Sequence, residues 1–257
     1  MDILTIVLSS LLGLVSPVGV VTDQVVAATI RDQLDSVEEL RVRIDNAPNY
    51  DIVQGKADRI RIAGRGVFPL KDLRLAVVEL ETDPVNLNRR RLQRGRLRLQ
   101  EPFRAGVRLV VTEADINQAL RSPNVLKRLQ RLARQFLGSQ AGDYTIQNSQ
   151  VEFLANQRVR LQTELQSMGS PDRLAIEVES GLDIVAGRQL RLLQPTVQLN
   201  GTAVPEAIVI AVTDRLPSML DLQQLEASGI TARVLQFKLD DNQAELAAFV
   251  QVTPESK

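Results

Sequence analysis

The sequence predicts a sheet-rich α+β fold, and three observations carry that expectation. Charged and apolar residues alternate in run after run: Leu40-Arg41-Val42-Arg43-Ile44, Arg59-Ile60-Arg61-Ile62, Leu97-Arg98-Leu99, Arg158-Val159-Arg160-Leu161, Arg173-Leu174-Ala175-Ile176-Glu177-Val178 and Arg188-Gln189-Leu190-Arg191-Leu192. Side chains on a strand alternate between faces, so each run builds one oily and one wet face. Turn chemistry separates the runs, as in Asn46-Ala47-Pro48-Asn49, Asp83-Pro84 and Glu101-Pro102. Helical spacing occurs in only a few stretches. A sheet of this kind must cover its oily face with helices, another sheet or a ligand. What covers it is the functional question.

At the amino terminus, ILTIVLSSLLGLVSPVGVVT runs from Ile3 to Thr22 without a charge. About 20 apolar residues suffice to cross a bilayer as a helix. Three readings stay open. A cleaved secretory signal lacks its basic n-region here, since the only charged side chain near the start is Asp2. A membrane anchor is softened by Ser9, Ser10, Gly13, Ser16, Pro17 and Gly19. A helix kinked at Pro17 could instead pack within the fold. Val21, Val25, Ala28, Ile30 and Leu34 then continue an amphipathic helix to about Asp35. This divides the chain into 1–35, an apolar helix or anchor, and 36–257, one α+β domain without a Gly-, Ser- or Pro-rich linker.

Strands are expected at roughly 39–46, 57–64, 72–81, 95–100 and 106–112. Gly64-Arg65-Gly66 lacks the pattern of a phosphate loop and reads as a turn. Thr112 and Asp115 form a capping box with Asp in place of Glu, opening a helix that Ser122-Pro123 breaks. A second helix runs from about 123 to 138. Further strands follow near 144–155, 157–166, 173–186, 188–193 and 195–200, then a helix at about 205–226 that Pro217 should kink or split. Two last strands, 230–239 and 243–252, follow Gly229. The order of strands then helix recurs, without a residue-level repeat.

Composition excludes many chemistries. The chain contains no histidine and no cysteine, which removes the commonest general base, the usual zinc ligands and the thiolate nucleophile. No pair of acids stands out for a carboxylate-only enzyme. The formal net charge is zero and aromatics make up 3%, which argues against nucleic acid as a partner. The expectation is a binding protein with no catalytic, cofactor or metal residues. Only five of the 31 basic residues are lysine, a bias toward the side chain that pairs bidentately with phosphate and carboxylate.

Two basic features are candidate lipid contacts. The run NRRRLQRGRLR, Asn88 to Arg98, brings together Arg89, Arg90, Arg91 and Arg94. It reads either as a solvated loop leading into a strand or as a contact for anionic headgroups. On the helix at 123–138, Lys127, Arg131 and Arg134 follow i, i+4, i+7 with Arg128 beside them, opposite Val125, Leu129, Leu132 and Phe136. That pattern suits a helix in a membrane interface, or equally a core helix showing its charged back to water.

The stretches LTIVLSSLLGLVSPVGVVTDQV, VEELRVRIDNAPNYDIVQGKADRIRIAGRGVFPLKDLRLAVVELETDP, TEADINQALRSP, VEFLANQRVRLQTEL, VESGLDIVAGRQLRL and GITARVLQFKL resemble the bacterial LmeA-like phospholipid-binding family, in particular its branch in photosynthetic bacteria. The resemblance covers almost the whole chain. It implies a fold like that of the tubular lipid-binding (TULIP/BPI-like) proteins, a long curved antiparallel sheet wrapped around helices with an apolar groove. It also implies a phospholipid or other acyl lipid as ligand, a membrane surface as partner, and a place in the cell envelope or periplasm. It brings no catalytic residue and no cofactor. Acyl chains would then lie between sheet and helices, facing Val42, Ile44, Ile60, Ile62, Leu97, Leu99, Val159, Leu161, Ile176 and Val178. Two rivals are a scaffold protein whose groove holds its own amino-terminal helix, and a carboxylate-dependent hydrolase of lipid or glycan.

Overall fold

The alternating runs that lie among the described residues form strands, and turns fall at Asp72, Asn156, Ala186-Gly187 and Asn200-Gly201. The computed structural model describes residues 27, 30–32, 34–45, 56–86, 102–137, 144–167, 173–213 and 221–253. In chain order these form β1 (Ser36–Asp45), β2 (Lys56–Ala57), β3 (Arg59–Leu70), β4 (Leu73–Thr82), β5 (Val85–Asn86), β6 (Phe103–Thr112), α1 (Glu113–Leu120), α2 (Pro123–Leu137), β7 (Tyr144–Leu154), β8 (Arg158–Ser167), β9 (Arg173–Val185), β10 (Gln189–Leu199), β11 (Thr202–Ala203), α3 (Glu206–Thr213), a 3-10 segment (Leu222–Ser228), β12 (Ile230–Leu239) and β13 (Gln243–Val252). The fold is therefore mostly sheet with a few helices, as the alternation requires.

The strands divide between two large sheets, where the sequence reading has one long sheet. The six-stranded sheet has the order β1-β3-β4-β6-β13-β12, and the five-stranded sheet the order β11-β10-β9-β8-β7. The described residues fall into two compact units. One draws on 1–110, 222–236 and 245–257, the other on 111–221 and 237–244. The chain enters the first unit three times, so composition shows no linker between them.

In the first unit the register sets Val42, Ile62, Leu80 and Val107 side by side across four strands, with Arg41, Ala63, Glu79 and Arg108 in the adjoining row. Neighbouring rows point to opposite faces. Over β3, β4 and β13 the apolar face holds sealed positions: Ile60, Ile62 and Leu80 are each 2% exposed, and Val78 and Val250 1%. Ala27, Ile30 and Leu34, spaced as a helical stripe, are buried as well, and Ile30 is wholly inaccessible. Of the inner positions expected here, Ile60 and Ile62 are thus sealed in a core, while Val42 and Ile44 are half-buried.

In the second unit Thr112 caps α1 as the sequence suggests. Its Oγ1 accepts from the Asp115 N–H at 3.1 Å, and the Asp115 carboxylate accepts from the Thr112 N–H at 3.2 Å. Three expectations need correcting. Gly64-Arg65-Gly66, expected as a turn, lies inside β3, where Gly64 pairs with Leu40 and Val78 and the strand runs on to Leu70. The strands foreseen at 188–193 and 195–200 are one strand, β10, whose register shifts between Leu193 and Thr196. Gln194 takes a left-handed φ of 46° at that bulge, which is where a sheet tolerates the following Pro195. Of the helix foreseen at 205–226, the described residues Glu206–Thr213 are α and Leu222–Ser228 are 3-10, while Pro217 lies outside the described residues. The strand foreseen at 95–100, and residues 1–26 with their three readings, lie outside the described residues. Among the described residues no helix is long and apolar enough to cross a membrane.

Candidate functional site

The five-stranded sheet has two unlike faces. On one, Cα pairing aligns Val151, Leu161, Val178 and Val197 across β7, β8, β9 and β10. Flanking rows hold Ile146, Leu165 and Leu174, then Thr163, Ile176 and Leu199, then Phe153, Val159 and Ser180. Phe153 and Ser180 are buried, at 7% and 2% exposure. The apolar members of the other rows, with Val159, are all only half-buried. Helices stand at both sides of the sheet, α1 and α2 at β7 and α3 at β10. Over the central strands β8 and β9 the oily face keeps access to solvent. From Leu174 to Ile184 the inward row of β9 extends about 30 Å at roughly 3.3 Å per residue.

The opposite face is a mesh of ion pairs. Arg158 holds Glu179 at 2.9 Å, and Arg160 reaches Glu152 at 2.7 Å and Glu179 at 3.1 Å. Arg173 pairs with Glu164 and Arg191 with Asp183. Arg160 Nε is buried without a hydrogen-bond partner, and Glu177 Oε1 lies 3.8 Å from it, close enough for charge but too far for a hydrogen bond. The Arg158 hydrogen bond, then that of Arg160, holds the Glu179 carboxyl below the usual carboxylate range against the opposing effect of burial. Glu179 raises Arg160 in return. A carboxylate with a lowered folded pKa adds stability above its unfolded pKa, about 4.3, and loses it as pH falls through the folded value. Stability is therefore expected to fall as pH drops below about 4.3. Glu179→Gln should flatten that fall and cost about 1 kcal/mol at pH 7, read from urea midpoints across pH.

The free edge of β7 is covered by α1. The Asn117 carboxamide accepts from Val151 N–H and donates to Val151 C=O, both at 2.7 Å, while Glu113 accepts from Phe153 N–H at 2.7 Å. These three hydrogen bonds replace those a further strand would make, and so block edge pairing. The sequence reading missed both residues in this role, because 34 residues separate Asn117 from Val151 and no local spacing signals the contact.

A concavity of about 690 Å³ crosses the charged face of the six-stranded sheet. Ala63, Gly106 and Ala247 are among its lining residues, with Arg41, Arg61, Arg108 and the 72% exposed Leu235. Its cations are already neutralised: Arg41 by Glu39, Arg61 by Asp45 and Glu81, and Arg108 by Glu79 and Glu245. The Glu245 hydrogen bond, then that of Glu79, raises Arg108 further. The site offers little uncompensated charge to an anionic headgroup.

Lys127, Arg128, Arg131 and Arg134 all fall on α2. Lys127 and Arg131 are exposed and Arg128 half-buried, while Arg134 lies beyond the part of α2 whose side chains are described. Arg89, Arg90, Arg91 and Arg94, with the inner positions Leu97 and Leu99, lie outside the described residues. The remaining inner positions, Val159, Leu161, Ile176 and Val178, share the half-open face. Leu165, Leu174, Val197, Leu199 and Ile146 belong to it too. Reading the same alternation along the full length of each strand would have found them.

An apolar face with access to solvent, backed by a neutralised polar face, suits an apolar ligand. The LmeA-like phospholipid-binding family model matches residues 16–249. The chain belongs to that family. No curated protein and no solved structure matches it. For an LmeA-like protein the supported role is lipid binding, and the half-open sheet face is the feature of the fold that fits it.

Proposed function

We propose that this LmeA-like protein is a non-enzymatic phospholipid carrier of the cell envelope. Acyl chains lie on the half-open face of the five-stranded sheet, between sheet and helices in the manner of tubular lipid-binding proteins, and residues 36–257 work as one lipid-binding module. The observation that carries this reading is the contrast between the sheets, with Ile62 at 2% exposure and Leu161, Ile176 and Val178 half-buried. Covering those side chains with an acyl chain contributes about 0.8 kcal/mol per methylene buried. A face about 30 Å long exceeds the hydrocarbon of one leaflet, about half of a 30 Å bilayer core, so a whole chain can be accommodated.

The test is native mass spectrometry of the purified full-length protein, with lipid extraction. A near-stoichiometric phospholipid is expected. Val178→Trp, which fills the face with an indole in place of an acyl chain, should lower lipid occupancy several-fold while the circular dichroism spectrum is kept. A folded protein that carries no lipid and takes none from vesicles would point instead to a scaffold.

A further inference from the structure

We propose that α2 is an electrostatic docking surface for an anionic membrane, separate from the face that holds acyl chains. The strand arginines are paired with acids. Arg41, Arg61, Arg108, Arg158, Arg160 and Arg173 each sit within 4.0 Å of a carboxylate. The α2 cations behave otherwise. No Asp or Glu occurs between Pro123 and Leu137. Among the described residues Lys127, Arg128 and Arg131 are paired with no acid from any other element.

A helix that only shows its back to water gains from acids placed at i, i+4 to its cations, and loses by similar amounts where like charges stand there. Lys127 and Arg131 are such a like-charge pair. The fold therefore tolerates a local repulsion that an anionic surface would relieve. Geometry points the charge outward. At 100° per residue, positions 127 and 131 lie within 40° of each other and opposite Val125 and Leu129, which are half-buried. Gln130 ties the helix to the sheet by donating to the Tyr144 carbonyl at 2.8 Å. The exposed cations thus form a patch on a helix hydrogen-bonded to β7, in a chain whose formal net charge is zero. A membrane is favoured over nucleic acid because aromatic residues for base stacking make up 3% of the chain. The choice of a membrane rests on the lipid-binding reading, but the docking itself needs no lipid in the sheet.

The experiment is co-sedimentation of the full-length protein with vesicles of phosphatidylglycerol or of phosphatidylcholine, alongside its lipid content by mass spectrometry. Each cation near an anionic surface contributes about 1 kcal/mol, so Lys127→Gln/Arg128→Gln/Arg131→Gln should weaken the partitioning into phosphatidylglycerol vesicles by about 100-fold at low salt. Partitioning into phosphatidylcholine and the bound lipid should stay unchanged. Salt at about 1 M, where the Debye length is about 3 Å, should erase the wild-type preference. Equal wild-type binding to both vesicles overturns the proposal, as does a triple variant that keeps the preference. Binding of the wild type to single-stranded RNA as tightly as to phosphatidylglycerol, at equal salt, also overturns it by revealing a general polyanion site. Wild-type protein that carries no lipid yet prefers phosphatidylglycerol sinks the carrier reading and leaves the docking surface standing.

Discussion

Ile62→Ala is expected to cost about 3–4 kcal/mol of folding stability, and Ile176→Ala only about 1 kcal/mol, although the chemical change is the same. Ile62 is 2% exposed, and its row continues through Val42, Leu80 and Val107. Truncation there removes the transfer free energy of the lost groups and leaves a void that close-packed neighbours fill only in part. Ile176 stands beside Thr163 and Leu199 on a face that is already half-open. Removing its methyl groups loses part of the transfer free energy and seals in no cavity. At about 2–4 °C per kcal/mol for a chain of this size, the two variants should melt roughly 5–10 °C apart. The affinities should run the other way, with Ile176→Ala lowering lipid occupancy and Ile62→Ala leaving it intact at temperatures where the protein stays folded. Thermal melts with parallel lipid extraction read both. Equal losses of stability would mean that the five-stranded face is as tightly closed as the other, leaving no room for an acyl chain.

Asn117→Ala should cost about 2 kcal/mol and also change the association state of the protein. The substitution strands the Val151 N–H and C=O, both held at 2.7 Å, and each part-buried group left unmade carries a desolvation penalty of about 1 kcal/mol or more. It also reopens part of an edge strand, the kind of surface that recruits a strand from another chain. Asn117→Asp separates the two hydrogen bonds. It keeps an acceptor for Val151 N–H but turns a lone pair toward Val151 C=O, so it should be at least as damaging as alanine. Size-exclusion chromatography over a range of concentrations, with urea unfolding, tests both effects. A variant that stays monomeric and unfolds at the wild-type midpoint would show that α1 does not guard the edge.

Much of the sheet was legible because strand formation here is a local matter. Arg59-Ile60-Arg61-Ile62 and Arg158-Val159-Arg160-Leu161 alternate with period two, and each became part of a strand with its apolar residues on one side. The Thr112–Asp115 cap was legible for the same reason, since both partners lie within one helical turn. The break expected at residue 194 is instead the bulge at Leu193/Thr196, which carries Pro195 within a single strand. Lys127, Arg128 and Arg131 were visible as part of a stripe, but not as cations without an acid partner among the described residues. Whether Lys127 meets an acid depends on side chains brought from other elements, and spacing along one helix is silent on that.

The two runs also show where local patterning stops. Period-two alternation makes Ile62 and Ile176 equivalent, each an apolar residue on the inner side of a strand. Their difference arises from what the rest of the chain lays over them. In one sheet Ile60, Ile62 and Leu80 are sealed to 2% exposure; in the other, helices stand at β7 and β10 while the middle strands keep access to solvent. Which side of each strand is oily follows from covalent geometry, because successive side chains point opposite ways. Whether that side is closed is a matter of long-range packing, settled by contacts between segments far apart in the chain. A binding face exists only where that packing is incomplete.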